Sequence, residues 1–176
     1  AGDRVQCSVW ASRVLVHLPD HLPALREHGL KLLDHREWRV AAQVWRRTLL
    51  CEPRRGNDWV SLARATLVSQ GINDCLMYLR WAQSINPSSA SIGFALASAL
   101  FNARRFVEAE DQMRMVIEVA GDDPKTQFWM GRILHAQERR VEAKQYLNKA
   151  AGSGAEMARF TKMIEATVLS SNFLNR

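Results

Sequence analysis

The chain is poor in the residues that interrupt helices. Its 176 residues include only five prolines and nine glycines, so long uninterrupted helices are open to it. No run approaches the roughly 18 apolar residues that a membrane-crossing helix requires. The opening Ala1-Gly2-Asp3-Arg4 is not a basic stretch followed by an apolar core, so no secretory signal is read there. The three cysteines, Cys7, Cys51 and Cys75, are an odd set without CxxC spacing. That argues against a disulfide framework and fits a reducing compartment better than an oxidising one, which favours the cytoplasm. Signatures of catalysis are missing too: there is no glycine-rich phosphate loop, no GxSxG and no HExxH. Neither an enzymatic activity nor a cofactor is expected.

What is present is ordinary for a folded domain. Hydrophobic residues make up 47% and charged residues 24%, which sets the chain apart from disordered sequences. The length suits one domain or a short repeat array. A net charge of +6 permits acidic partners or nucleic acid. Its basic residues are mostly arginines scattered along the chain rather than gathered in a tail, so nucleic acid is the less favoured of the two. His17, His21, His28 and His35 lie close in sequence to Asp20 and Asp34, a composition that suggests a metal. Pro19 separates the first two, His28 falls in a packing column, and the others fall in turns. The histidines are therefore read as structural, and no metal is expected.

The dominant pattern is an internal repeat at a step of 34 residues. Small residues recur as Gly29, Ala63, Ala97 and Gly131, and again as Cys7, Ala41, Cys75, Ala109 and Ala143. Large apolar residues recur as Trp45, Leu79, Met113 and Leu147, and a further column reads Leu32, Thr66, Leu100 and Leu134. Pro19, Pro53 and Pro87 close successive units, Gly121 stands at the next closing position, and Pro124 opens the unit after it. Two helices that cross closely need a small side chain where their backbones approach, with bulky neighbours filling the space beside it. Proline after the second helix cannot continue it. Each unit therefore reads as helix A, a tight turn, helix B and a proline-marked turn. The A–B turns fall at His35-Arg36-Glu37, Gln70-Gly71-Ile72, Asn102-Ala103-Arg104-Arg105 and Gln137-Glu138-Arg139-Arg140.

These columns resemble the tetratricopeptide repeat family over almost the whole chain. The segments carrying the resemblance are Leu96-Ala97-Ser98-Ala99-Leu100 with Arg105-Phe106-Val107-Glu108-Ala109, and Met130-Gly131-Arg132-Ile133-Leu134 with Arg140-Val141-Glu142-Ala143. The resemblance implies an all-α fold, a right-handed α-solenoid of stacked helix-turn-helix repeats. Complete units are predicted at 22–55, 56–89, 90–123 and 124–155. Residues 1–19 match only helix B of an incomplete first repeat. Residues 156–170 read as a C-terminal capping helix, with Met157, Phe160, Ile164 and Val168 on one face, and 171–176 as a flexible tail. The half repeat predicts exposed apolar surface around Val5, Trp10 and Val14, where a second copy of the chain could pair.

In the resembled family helix A lines a concave groove that binds peptides. Carried over by position, the groove candidates are Arg26 and Leu30; Val60, Arg64 and Leu67; Phe94, Ser98, Phe101 and Asn102; and Phe128, Trp129, Arg132 and His135. Aromatic side chains and arginines make good anchors, because both bury much area and tolerate mixed polarity. Between-repeat packing is an equal reading for Phe94, Phe101 and Phe128. A well-known form of the groove clamps a C-terminal carboxylate. Lys125 matches one clamp position, but Val60, Ala95 and Trp129 occupy others, so a segment mixing apolar and acidic residues is expected instead. Arg36, Arg104, Arg105, Arg139 and Arg140 fall in the A–B turns and predict a basic edge. That edge could meet an acidic protein or RNA, although arginine near a helix C-terminus also complements the helix dipole with no ligand. The function expected is a protein–protein interaction module, acting as scaffold, adaptor or chaperone. The rival reading is a recruitment or regulatory domain of a larger enzyme.

Overall fold

The computed structural model describes residues 10–11, 13–121 and 123–152. Residues 10–11 and 13–17 are helical and form α1. After it come α2 (Leu22–Asp34), α3 (Trp38–Cys51), α4 (Gly56–Ser69), α5 (Ile72–Ile85), α6 (Ala90–Asn102), α7 (Phe106–Ala120), α8 (Pro124–Ala136) and α9 (Arg140–Ala151). The described residues contain no strand, and the fold is all-α, of the solenoid type. The predictions for 156–170 and 171–176, and those for Val5 and Cys7, lie outside the described residues.

Local chemistry places the helix ends. The first helices of the hairpins start at Leu22, Gly56, Ala90 and Pro124, an interval of 34 residues. Asp123 caps α8, accepting from the Lys125 and Thr126 amides at 2.6 and 3.1 Å, while Pro124 takes the first helical position, where no amide is needed. At α2 the cap is His21, whose Nδ1 accepts from the Ala24 amide at 3.3 Å. All four A–B turns close in one way, with an amide reaching back five residues to a carbonyl of the same column. Glu37 donates to Leu32, Gly71 to Thr66, Arg105 to Leu100 and Arg139 to Leu134, at 2.9–3.0 Å. Three turns pass through a left-handed residue that is not glycine: Arg36, Arg104 and Glu138, with φ of 62°, 58° and 65°.

The chain forms two compact units, Ala1–Ala99 and Leu100–Arg176, the boundary falling inside α6. In the first, α2 packs on α3, α3 on α4 and α4 on α5; in the second, α7 packs on α8 and α8 on α9. Within the described residues every member of the four sequence columns is buried, from Gly29 and Trp45 to Gly131 and Leu147. Thr66 fits among leucines because its hydroxyl donates to the Ala63 carbonyl at 3.0 Å, leaving no polar atom unmet. Two glycines mark the closest helix crossings. A Cβ at Gly29 would stand 2.8 Å from Cε2 of Trp45, and one at Gly131 would stand 2.7 Å from Cγ of Leu147.

Each unit also contains a buried acid held by arginine. Asp58 occupies a column shared with Ala24, Ile92 and Thr126, and it accepts from Arg26 Nε and Nη2 at 2.9 and 2.8 Å. Arg26 Nη2 also donates to Glu52, so one guanidinium on α2 ties down both the end of α3 and the start of α4. In the second unit Glu110, only 6% exposed, accepts from Arg114, Gln137 and Arg139 at 2.5, 2.9 and 2.7 Å. Burial pushes the Glu110 carboxyl up, but these three donors outweigh it and hold it below its ordinary 4.5.

Four variants are compared with the parent by urea unfolding of the intact chain. Gly29→Ala is expected to lose about 1–3 kcal/mol, because the buried indole of Trp45 has nowhere to move. Adding Trp45→Leu should recover part of that loss, since Ala with Leu is the combination standing at Ala63 and Leu79. Arg104→Gly is expected to gain about 1 kcal/mol by relieving its left-handed backbone; a loss would show that the side chain outweighs the strain. Glu110→Gln should cost about 1–3 kcal/mol at pH 7, the range for a hydrogen-bonded charge. A carboxyl with a lowered folded pKa stabilises above its unfolded value and loses that contribution as pH falls through the folded one. The gap between Glu110→Gln and the parent should therefore narrow below pH 4.5, the ordinary value, and a constant gap would rule the ion network out as its source.

Candidate functional site

In the first unit the candidate residues have divergent fates. Arg26 is half-buried and committed to Asp58 and Glu52; these carboxylates raise its pKa, the Asp58 hydrogen bond most. Leu30 is 44% exposed, Arg64 is exposed, and Val60, Leu67, Phe94 and Ser98 are half-buried. The Ser98 hydroxyl donates to the Ala95 carbonyl at 2.8 Å, so its hydrogen is spent within its own helix. An aromatic ladder on α4 and α5 went unread in the sequence. Trp59 stacks on Tyr78 and Trp81, with centroids 5.9 and 6.1 Å apart and planes at 30° and 18°. Its Nε1 is fixed by a 2.8 Å bond to the Pro53 carbonyl. Tyr78 and Trp81, three residues apart on one helix, were the available signal.

The second unit gathers its candidates around one cation. Phe128 and Trp129 precede Arg132 on α8 by four and three residues, which puts all three on one helix face. Phe101, at the end of α6, meets Trp129 edge-on at 5.8 Å and Phe106 at 5.5 Å. The guanidinium carbon of Arg132 stands 4.4 Å from the centre of the Trp129 ring, 4.9 Å from Phe101 and 5.8 Å from Phe128. Burial lowers the Arg132 pKa, yet arginine remains charged in any protein environment. No carboxylate lies within ion-pair distance of Arg132 among the described residues. Cation–π attraction, roughly 2 kcal/mol when desolvated, holds the side chain in place without neutralising it. His135 beside it is half-buried and Asn102 is exposed.

The arginines of the A–B turns are not equivalent. Arg105 and Arg139 precede the first residue of α7 and α9, and each forks onto the acid three residues later. Arg105 reaches both oxygens of Glu108 at 2.6 Å, and Arg139 reaches Glu142 at 2.8 and 2.5 Å while also binding Glu110. Their charge is taken up by carboxylates rather than by a helix C-terminus. Arg104 lies over the Phe106 ring at 5.7 Å, and Arg140 is exposed. Arg36 lines a surface cleft in the first unit. Among the described residues no group of three or more possible metal ligands forms, and no helix is long and apolar enough to cross a membrane.

Neither a family model nor a curated protein sequence matches the chain. Solved structures do. A protein named MamA gives TM-score 0.74 at 16% identity over 94% of this chain and 92% of that one. YrrB, described as a TPR protein with an unusual peptide-binding site, gives TM-score 0.72 at 18% identity over 92% and 84%. TTC0263, a thermophilic TPR protein of Thermus thermophilus, gives 0.74 at 17% over 96% and 91%. These likenesses join helical hairpins recurring at 34 residues and a fully buried set of repeat columns. The chain has the tetratricopeptide-repeat fold.

Proposed function

We propose that the chain is a protein-interaction module, a scaffold or adaptor, that binds a partner segment on the first helices of its hairpins. The observation carrying this reading is Arg132, a half-buried cation boxed by Phe101, Phe128 and Trp129 with no acid of the described chain to neutralise it. Such a guanidinium can take a carboxylate bidentately while the rings accept an apolar neighbour. The partner segment would thus carry an acidic side chain beside an apolar one. Similarity to YrrB, described as having a peptide-binding site, supports the same class of partner. Within the first unit Arg64, Leu30 and Val60 offer contacts of the same kind, whereas Arg26 is left out because its guanidinium already serves Asp58 and Glu52.

An array of dodecamer peptides, varied in acidic and apolar content, tests this with the intact chain. Peptides pairing Asp or Glu with a large apolar residue should be selected. By calorimetry, Arg132→Gln should weaken the selected peptides at least tenfold, and Arg132→Lys should restore only part of the affinity, since lysine keeps the charge but not the planar fork. Equal affinity for Arg132→Gln and the parent would refute the site, provided circular dichroism shows both folded.

A further inference from the structure

The first hairpin lacks an acid that its three sisters share. In the other three, the first turn of the second helix carries an acid at Asp74, Glu108 or Glu142, and the corresponding residue here is Val40. In two of them this acid holds the arginine three residues before it, Arg105–Glu108 and Arg139–Glu142; that earlier position is Gly71 in the second hairpin and Glu37 in the first. Arg36 and Arg39 are both exposed, and neither has a carboxylate partner among the described residues. Beside them a cleft of about 390 Å³ opens between the start of α3 and the end of α4. Its lining includes Arg36, Trp38, Arg39, Val40 and Val68, with Glu37 as the one acid. Val40 and Val68 are 43% and 60% exposed, and Trp38 is half-buried. No side chain caps the amides at the start of α3, so the positive end of that helix faces the same region.

We propose that this cleft is a second docking site, for an extended acidic peptide segment that sets an apolar side chain against Trp38, Val40 and Val68 and its carboxylates on Arg36 and Arg39. The proposal stands apart from the Arg132 reading, since all of its residues belong to the first unit. Charge complementarity chooses the occupant. Two unneutralised guanidinium groups rim an apolar floor, which matches alternating acidic and apolar side chains. A nucleic-acid backbone fits poorly: it would bring phosphates past Glu37 and leave the valines and tryptophan without apolar contact. The cleft's volume lies at the lower end of the range for ligand pockets, roughly 300–1,000 Å³, enough for a few side chains but not for a folded domain.

The test uses the full chain labelled with ¹⁵N. The probes are a dodecapeptide with Leu-Phe at its centre and five glutamates on each side, its counterpart with glutamine in place of every glutamate, and a twelve-nucleotide oligo-dT. The glutamate peptide should shift the Trp38 indole resonance and the Val68 and Ser69 amides, and the glutamine peptide should bind at least tenfold more weakly. R36E/R39E should weaken the response of those resonances at least tenfold, and so should Val40→Glu, which installs at an exposed position the acid carried by the sister repeats. Arg132→Gln should leave the response unchanged, which separates this site from the one proposed above. Absence of shifts at Trp38, Val68 and Ser69, or a response within twofold of the parent in R36E/R39E, would overturn the proposal. Oligo-dT shifting the same resonances as tightly as the peptide would overturn the choice of occupant.

Discussion

Gly29 lies against the indole of Trp45, and Gly131 lies against Leu147, each with no room for a single added carbon. This contact sets how near the two helices of a hairpin come, and the rest of the architecture follows from that distance. A close crossing aligns the flanking residues into layers, which is why Leu32, Thr66, Leu100 and Leu134 are all buried. It also places the A–B turn, because the carbonyls of those four residues accept the bond that closes it. The backbone is driven hard enough that Arg36, Arg104 and Glu138 adopt a left-handed conformation that glycine would adopt more easily. In the first hairpin the contact has a cost in polarity: Trp45 Nε1 is buried with no hydrogen-bond partner.

Asp58 and Glu110 are the polar counterpart of that contact. Asp58 stands in a column with Ala24, Ile92 and Thr126, and Glu110 takes the place held by Ala42 and Leu76 in the first two hairpins; both acids are tolerated because several donors converge on them. A lone buried carboxylate would be strongly unfavourable, so each acid requires the residues of neighbouring helices to be in register. This changes the meaning of the net charge. Arg26, Arg105, Arg114 and Arg139 are bound within the chain, and the charge open to a partner rests on fewer residues, among them Arg36, Arg39, Arg64 and Arg132. The surface is thus more selective than composition suggests.

The columns were legible in the sequence because burial at a fixed interval leaves a periodic trace in side-chain size, and no tertiary knowledge is needed to see it. Pairings between particular side chains leave no such trace. Arg26 looked like a groove residue because its position on helix A does; its bonds to Glu52 and Asp58, 26 and 32 residues away, depend on how two helix ends converge. The Arg132 environment was half legible. Phe128 and Trp129 follow from helix spacing, but Phe101 comes from another helix altogether. Asp58 did leave a signal, since an acid in a column otherwise buried at Ala24, Ile92 and Thr126 implies a buried partner. His28 is similar, standing where Leu62, Leu96 and Met130 stand, with Nδ1 buried and unpartnered.

The ladder of Trp59, Tyr78 and Trp81 has an optical consequence. Nearly parallel indoles at this separation share their excited states, and such coupling contributes to circular dichroism in the wavelength region used to measure helix. The spectrum of this protein is therefore not a plain sum over its backbone, and helix content derived from it would carry an aromatic contribution. The same coupling makes the ladder a reporter on the pairing of α4 with α5, since its strength depends on Trp59 and Trp81 keeping their spacing and their nearly parallel planes.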